Sequence, residues 1–523
     1  MFGIAILSLV PCLLIAYLII LPIIRYWADP KALRKYPNYS WISPFTDFDY
    51  CYLFAQGFRS RDLYLAHKRT GHPILRIGPN SLSFCDSRAI KDIYGHQTPC
   101  TKDIKEDVLA GSHRNLFDVV DKKDHARKRK LLSAAFALKN LERWEHKVAF
   151  TIERLFRAFD KFCATPVDET NVDSAAATVD FCKWINLWTI EAINFIALSD
   201  KMDLLDKGSD EVVAQKPDGT MYTARYRHSF EQMVQVASTF CWEYTLFPWV
   251  EWLVGVIPSE WRTKYHEGKA FGDIVYHQAT KRLKRYQAGE KDDDFFQCLM
   301  EDRNGSPNNL EWGEIVSEVG AIINAGADTT AMALTQTLHL LIKNPQCLKT
   351  LRNELDSVLA PDDVIASFEK VKHLPYLRAC IDEGLRIMPP TAAGLPRRTP
   401  AQGAEIMGEW IAGHTSVNMT IYAAHRDENV FPDPETFKPE RWLEPESKRM
   451  QSYFIPFSAG ARACLGRNIT YLEQTMLLAS LVHRYEFAAP GLDWQLERKE
   501  GFNMICSPMP IKIWKRELGV TGS

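Results

Sequence analysis

A chain of 523 residues, 46% hydrophobic and with a formal net charge of −2, has globular composition and enough apolar material for a large core. The near-neutral balance excludes a nucleic-acid partner held by bulk charge. The twelve cysteines form no C-x-x-C pair, are irregularly spaced and have no H-E-x-x-H beside them, which excludes a disulfide framework, a dithiol redox pair and the usual zinc sites.

Residues 1–24 carry no charge, and as a helix they would reach about 36 Å, enough to span a bilayer. They lack the basic leader and small-residue cleavage site of a signal peptide, so they read as a retained transmembrane anchor. Arg25, Lys31, Arg34 and Lys35 follow, and such charges stay on the cytoplasmic side together with the mass behind them. Pro30, Pro37 and Pro44 make 25–50 a stiff connector. The remainder, 51–523, contains no Pro/Gly/Ser-rich linker and reads as one large domain, mainly α with small β-sheets.

Strand-like runs are expected at 74–77, 81–84, 405–406 and 504–505, and helices at 142–162, 225–241, 312–342, 346–359 and 376–387. The charged, glycine-interrupted stretches 199–220 and 289–294 read as surface connections. Between 122 and 130, His125 and Arg129 share one helical face, while Lys123, Arg127 and Lys130 form an outward basic stripe. Inside the longest helix lies Ala325-Gly-Ala-Asp-Thr-Thr330. Its threonine hydroxyls can bond back to the preceding turn and open the helix locally, and Asp328 with Thr329 offers an acid–alcohol pair for proton delivery. A plain small-residue helix crossing is the competing explanation. Glu383 and Arg386 lie on one helix face among apolar neighbours, and Arg441, in Pro439-Glu-Arg-Trp442, is the candidate third member of a buried charge network. Arg397 and Arg398 follow Leu395-Pro396.

The densest signal comes last. Phe457-Ser-Ala-Gly-Ala-Arg-Ala-Cys-Leu-Gly466 presents one cysteine on a glycine-bounded loop. A thiolate there can be an axial ligand to haem iron, pushing electron density onto the metal and favouring O–O cleavage. Gly460 and Gly466 permit turns that a side chain would block. Backbone N–H groups can point at the sulfur, Phe457 can shield it from water, and Arg462 can pair with a haem propionate. The bland alternative is a buried, inert thiol.

The loop matches Phe-x-x-Gly-x-Arg-x-Cys-x-Gly at every fixed position and so resembles the haem loop of the cytochrome P-450 family. The segment 325–329 resembles the family's [Ala/Gly]-Gly-x-[Asp/Glu]-Thr motif, and Glu383, Arg386 and Arg441 resemble its Glu-x-x-Arg and Pro-Glu-Arg-[Phe/Trp] triad. His125 and Arg129 resemble its Trp-or-His, three residues, Arg pattern. These motifs stand in the family's order, so the resemblance runs from about 70 to 509.

The resemblance implies a cytochrome P-450 fold preceded by an N-terminal transmembrane helix, and heme held by Cys464. His125, Arg129, Arg397 and Arg462 would address its propionates, and Asp328 and Thr329 would deliver protons. It implies a monooxygenase that puts one oxygen atom from O2 into a small hydrophobic substrate and releases the other as water. The chain has no G-x-G-x-x-G unit and no second domain for flavin or NADPH, so electrons would come from an NADPH–cytochrome reductase. That places it in the endoplasmic reticulum membrane, single-pass, with the catalytic domain cytoplasmic. Asp29-Pro-Lys and 70–94 are similar to filamentous-fungal members, some acting on benzoate-like aromatics and many in secondary metabolism. By the same analogy, Ile322, Asn324, 391–394 and 502–504 line the substrate pocket. Two other classes are a haem-thiolate isomerase or dehydratase that uses no O2, which the intact Asp328–Thr329 pair argues against, and a non-catalytic membrane haem-binding protein.

Overall fold

The structure, a computed structural model, describes residues 13, 15–133, 135–136, 142–163, 179–241, 244, 246–491 and 493–518. The molecule is mainly helical, with one five-stranded sheet and four smaller β-elements among the described residues.

The helix Trp312–Lys343 runs through the centre and packs against Phe181–Leu198, Glu260–Gln287, Pro375–Ile387 and Arg467–Arg484. Its expected bounds, 312–342, agree to within a residue. Phe181–Leu198 was not legible as a helix, because fifteen of its eighteen residues are buried and no polar stripe breaks the apolar run. Asp180 caps it, accepting the Lys183 N–H at 3.2 Å. The helices expected at 142–162, 225–241, 346–359 and 376–387 are found as Glu145–Asp160, Tyr226–Phe240, Pro345–Asp356 and Pro375–Ile387.

The main sheet runs Ile74–Gly78, Ser81–Phe84, Ser416–Met419, Arg397–Arg398, Thr101–Lys102. Ser416–Met419 lies parallel to Ser81–Phe84, and the other neighbours are antiparallel. Gly394 turns the chain into this sheet with φ 69°, and a Cβ there would stand 2.2 Å from the Met419 carbonyl oxygen. That turn delivers Arg397 to the sheet end facing the site.

Two expectations are corrected. The stretch 199–220 is not a bare connection. It holds a helical turn, Leu204–Lys207, and most of a hairpin, Glu211–Gln215 with Met221–Arg225. Val212 and Ala214 alternate inward against Glu260–Gln287, and Lys216-Pro-Asp-Gly219 supplies the turn, with Gly219 at φ 91°. The stretch 289–294 is a connection but not wholly a surface one: buried Asp294 receives the Arg282 Nε–H at 2.8 Å and caps Phe295–Met300.

Of the anchor expected over 1–24, residues 1–12 and 14 lie outside the described residues. The described part is a π-helical turn, Ala16–Ile20, continuing as Leu21–Ala28. The helix thus passes Ile24 into the expected connector, because nothing breaks it before Asp29-Pro30. No described helix is long and apolar enough to cross a membrane.

The charge network forms as expected. Glu383 and Arg386 are fully buried and pair through two 2.9 Å bonds, and Arg441 Nε donates to Glu383 at 3.1 Å. Trp442 Nε1 and the Lys438 N–H complete the carboxylate's partners at 2.9 and 3.0 Å. With every lone pair satisfied the pair is stable, and stranding one charge would cost about 3–5 kcal/mol.

Candidate active site

Cys464 ends a loop held in left-handed backbone. Ser458 has φ 57° and Gly460 φ 70°. A Cβ on Gly460 would meet the Tyr94 carbonyl oxygen at 2.1 Å, so glycine is required both for its φ and for its close approach. The Phe457 carbonyl accepts the Cys464 N–H at 2.8 Å and closes the loop. Gly466, expected to allow an unusual turn, instead has φ −76°, and a Cβ there would find only ordinary contacts.

The helix Arg467–Arg484 begins directly behind the sulfur. The N–H groups of Gly466 and Arg467 bond to it, so the positive end of the helix points at Cys464. Burial pushes the thiol up from its ordinary range, while those two N–H groups and the Arg129 cation pull it back. Phe457 packs against Tyr471 with the rings tilted by 50° and their centroids 5.3 Å apart.

The sulfur opens onto an interior cavity of about 1040 Å³. Cys464 lines that space and is accessible from it. His125, Arg129, Arg397 and Arg462 line the same cavity, as does Lys102, which sequence reasoning missed. A second cavity of about 510 Å³ shares these five side chains, and no described carboxylate lines it.

The guanidiniums are held by carbonyl oxygens: Arg462 by Val119 and Val120 at 2.6 and 2.9 Å, Arg129 by Ala463 at 2.8 Å, Arg397 by Leu395 and Pro396 at 3.3 and 3.2 Å. Burial and the four neighbouring cations lower the His125 imidazole to about 4. Burial and Arg397 bring Arg462 down to about 10. Lys102 already pairs with buried Glu106 at 2.6 Å, but the guanidiniums of Arg129, Arg397 and Arg462 are held, among the described residues, only by the carbonyl oxygens named above, and burying such cations without an anion is costly. A thiol backed by a helix N-terminus, beside cations suited to two carboxylates, fits haem: the sulfur for the iron and the cations for the propionates.

On the long helix, Thr329 and Asp328 part company. Thr329 lines the cavity and its hydroxyl donates to the Ala325 carbonyl at 2.7 Å. The back-bond is the expected one, but Trp312–Lys343 is continuous α-helix through 325–330, so the expected local opening is not seen. Asp328 is not among the lining residues. Consecutive helix residues point about 100° apart, and here that rotation carries Asp328 out of the lining to which Thr329 belongs. Asp328 accepts a 2.8 Å bond from Asn503 Nδ2, and burial pushes its carboxyl up to about 6.

Of the expected pocket positions, Ile322, Asn324, Thr391, Phe502 and Asn503 line the cavity, and 392–394 and Met504 do not. Phe230, Met233, Phe240, Val250, Tyr265 and Trp312 line it as well. The one signal for them was the amphipathic pattern of their helices, and that pattern cannot distinguish a core from a cavity wall. Asn324 Oδ1 is buried there without a hydrogen-bond partner.

The basic helix is Lys122–Ser133. Lys123, Arg127 and Lys130 are exposed and His125 is buried, as expected. Arg127 is already paired with Asp124 and Glu314, at 2.9 and 2.6 Å. Lys128, on the same helix, is buried and pairs with Glu318 at 3.1 Å.

Residues 65–513 match the model of the family described as Cytochrome P450. The chain is similar to Benzoate 4-monooxygenase of Aspergillus niger, 28% identical over 470 residues, covering 88% of this chain and 89% of the relative. It is 30% identical to a cytochrome P450 monooxygenase of Emericella nidulans, covering 83% and 84%. It is 26% identical to Tryprostatin B 6-hydroxylase of Aspergillus fumigatus, covering 91% and 80%.

Proposed function

The chain belongs to the cytochrome P450 family, and on that premise we propose that Cys464 is the thiolate ligand and that a hydrophobic aromatic compound is oxidised above it. The enzyme is a haem-dependent monooxygenase, which inserts one oxygen atom from O2 into its substrate. The bound haem supplies the reductive activation of oxygen, helped by electron release from its thiolate. The observation that carries the assignment is the single cavity joining the Cys464 sulfur, backed by two N–H groups, to a cationic cluster.

Each residue then has a task. The N–H groups of Gly466 and Arg467 hold charge on the sulfur, and Phe457 with Tyr471 keeps water from it. His125, Arg129, Arg397 and Arg462, with Lys102, receive the propionates. The Thr329 hydroxyl holds a proton at the cavity wall, and Asp328 stores one behind it.

The substrate reading rests on the lining, mostly aromatic and aliphatic with Asn324 and Asn503 as polar handles, and on relatives named for oxidising benzoate and tryprostatin B. It suits aromatic-compound oxidation or fungal secondary metabolism. Electrons are proposed to come from an NADPH–cytochrome reductase, and attachment to be to the endoplasmic reticulum membrane. Exposed Ile19, Ile20, Ile24 and Trp27 near the N-terminus, and Trp249, Trp252 and Leu253 on the helix Phe247–Val256, favour a lipid surface.

The test is to supply 18O2, NADPH and a microsomal reductase with candidate aromatics, and to compare Thr329→Ala. One labelled oxygen per product is expected, together with a lower product-to-NADPH ratio in the variant. Label from water instead would end the monooxygenase reading of the product, and an unchanged ratio would end the role given to Thr329.

A further inference from the structure

Asn503 occupies the turn of the hairpin Arg498–Glu500 with Met504–Cys506 and is buried. It touches two other segments. Its Nδ2 donates to Asp328 Oδ2 at 2.8 Å on the central helix, and its Oδ1 accepts from the Thr391 hydroxyl at 2.8 Å. The Met504 N–H donates to the Pro390 carbonyl at 2.7 Å, so the turn is fastened to the Thr391 segment by backbone as well. Asn503 and Thr391 line the cavity, and Asp328 does not. The amide therefore stands between the acid and the space where the reaction takes place.

We propose that Asn503 is a positioning residue: its amide, oriented by Thr391, holds the Asp328 carboxylate off the cavity, so that the acid exchanges its proton on the far side. This rests on the monooxygenase reading and adds a residue that the reading did not use. On that far side stand groups of the helix Tyr226–Phe240: Arg227 and Glu231 act on the acid through space, and the buried Tyr226 hydroxyl feels its charge. Arg227 donates to Glu231 at 2.6 Å, so this pair contributes little net charge. The amide is the one of these groups that bonds directly to Asp328. The orientation is also chemically specific. An ionised carboxylate can only accept, so it takes the NH2, and Oδ1 is left for the threonine hydroxyl.

The hydrogen bond from Asn503 favours the charged form of Asp328, and burial opposes it. Removing the amide should therefore raise the acid's titration midpoint. The experiment is an infrared titration of the buried carboxyl stretch in the full-length haem-loaded protein, with the band assigned by its loss in Asp328→Asn. The parent midpoint is expected near 6. In Asn503→Leu it should rise by about one pH unit or more, the effect of losing a charge-assisted hydrogen bond. Peroxide released per NADPH, with a microsomal NADPH–cytochrome reductase, should also rise. That rise should disappear when Asn503→Leu is made in the Asp328→Asn background.

An unmoved midpoint, or a peroxide effect that persists undiminished in that background, overturns the proposal. Should Asn503→Leu fail to fold, Thr391→Val leaves the amide in place but unoriented. It should shift the midpoint upward by less, and no shift is equally decisive against the proposal. The reduced, CO-bound spectrum of the parent tests the monooxygenase reading separately, and its failure would leave the infrared result standing on its own.

Discussion

Burial pushes Cys85 and Cys506 up to about 12, the ordinary fate of an enclosed thiol, whereas at Cys464 two N–H groups and Arg129 work against burial. Cys464→Ser removes the only atom there that can give a thiolate bond. The reduced, CO-bound protein should lose the red-shifted thiolate band, and a retained band would clear Cys464 of the role. A second residue-scale expectation concerns Glu473, on the helix that starts at the Cys464 loop. Its carboxyl is buried with no hydrogen bond of ordinary geometry among the described residues, and burial, opposed weakly by the nearby Thr330 hydroxyl, raises it from 4.5 to about 8. The folded protein therefore keeps this proton where the unfolded chain has lost it. The group's contribution to stability is full below about pH 4.5 and is lost as pH rises through about 8. Denaturation midpoints of the parent should fall more steeply from pH 5 to 8 than those of Glu473→Gln. Parallel curves would contradict the burial argument. Cys464, Arg462, His125 and Arg129 were legible because a fixed spacing or motif named them, whereas Arg397 stood beside Arg398 with no spacing to choose between the two. Lys102 and Glu473 were not legible, since a lone lysine or glutamate carries no mark of its burial.

At the level of elements, the helix Lys122–Ser133 serves two surfaces. Its inner side gives His125 and Arg129 to the cavity, and its outer side leaves Lys123 and Lys130 in solvent. Arg127, counted in the same stripe, is largely committed to Asp124 and Glu314. If this face meets an acidic reductase, reversal of Lys123 and Lys130 to Glu should slow haem reduction several-fold at low ionic strength, with little effect at high salt. Stopped-flow reduction at two salt concentrations measures this, and equal rates at low salt would move the docking site elsewhere. Helices with one wet face, such as Glu145–Asp160, were legible from their period. Phe181–Leu198 was not, because burial on all sides erases the stripe. The hairpin within 211–225 was hidden because only Val212 and Ala214 of its strands are buried, although Pro-Asp-Gly marked its turn.

At the scale of the whole molecule, the described part of the N-terminal segment stands apart from the candidate site: no described residue before Lys102 lines the large cavity. Removing residues 1–28 should release the protein from membranes, at least in part, with its haem retained. Fractionation with a haem assay decides this, and a truncated protein wholly in the pellet would assign attachment to another surface, the Trp249–Trp252 helix foremost. The sequence by itself determined the family and the heme, and it singled out the candidate cysteine and the Glu383–Arg386–Arg441 network. Each of these is a short motif whose chemistry requires particular residues at a particular spacing. Tertiary structure alone decided which cations converge, that Thr329 faces the cavity while Asp328 is tied to Asn503, and which apolar side chains make a wall rather than a core. Those facts depend on contacts between residues as far apart as 328 and 503, and no local spacing encodes the direction in which two distant side chains meet.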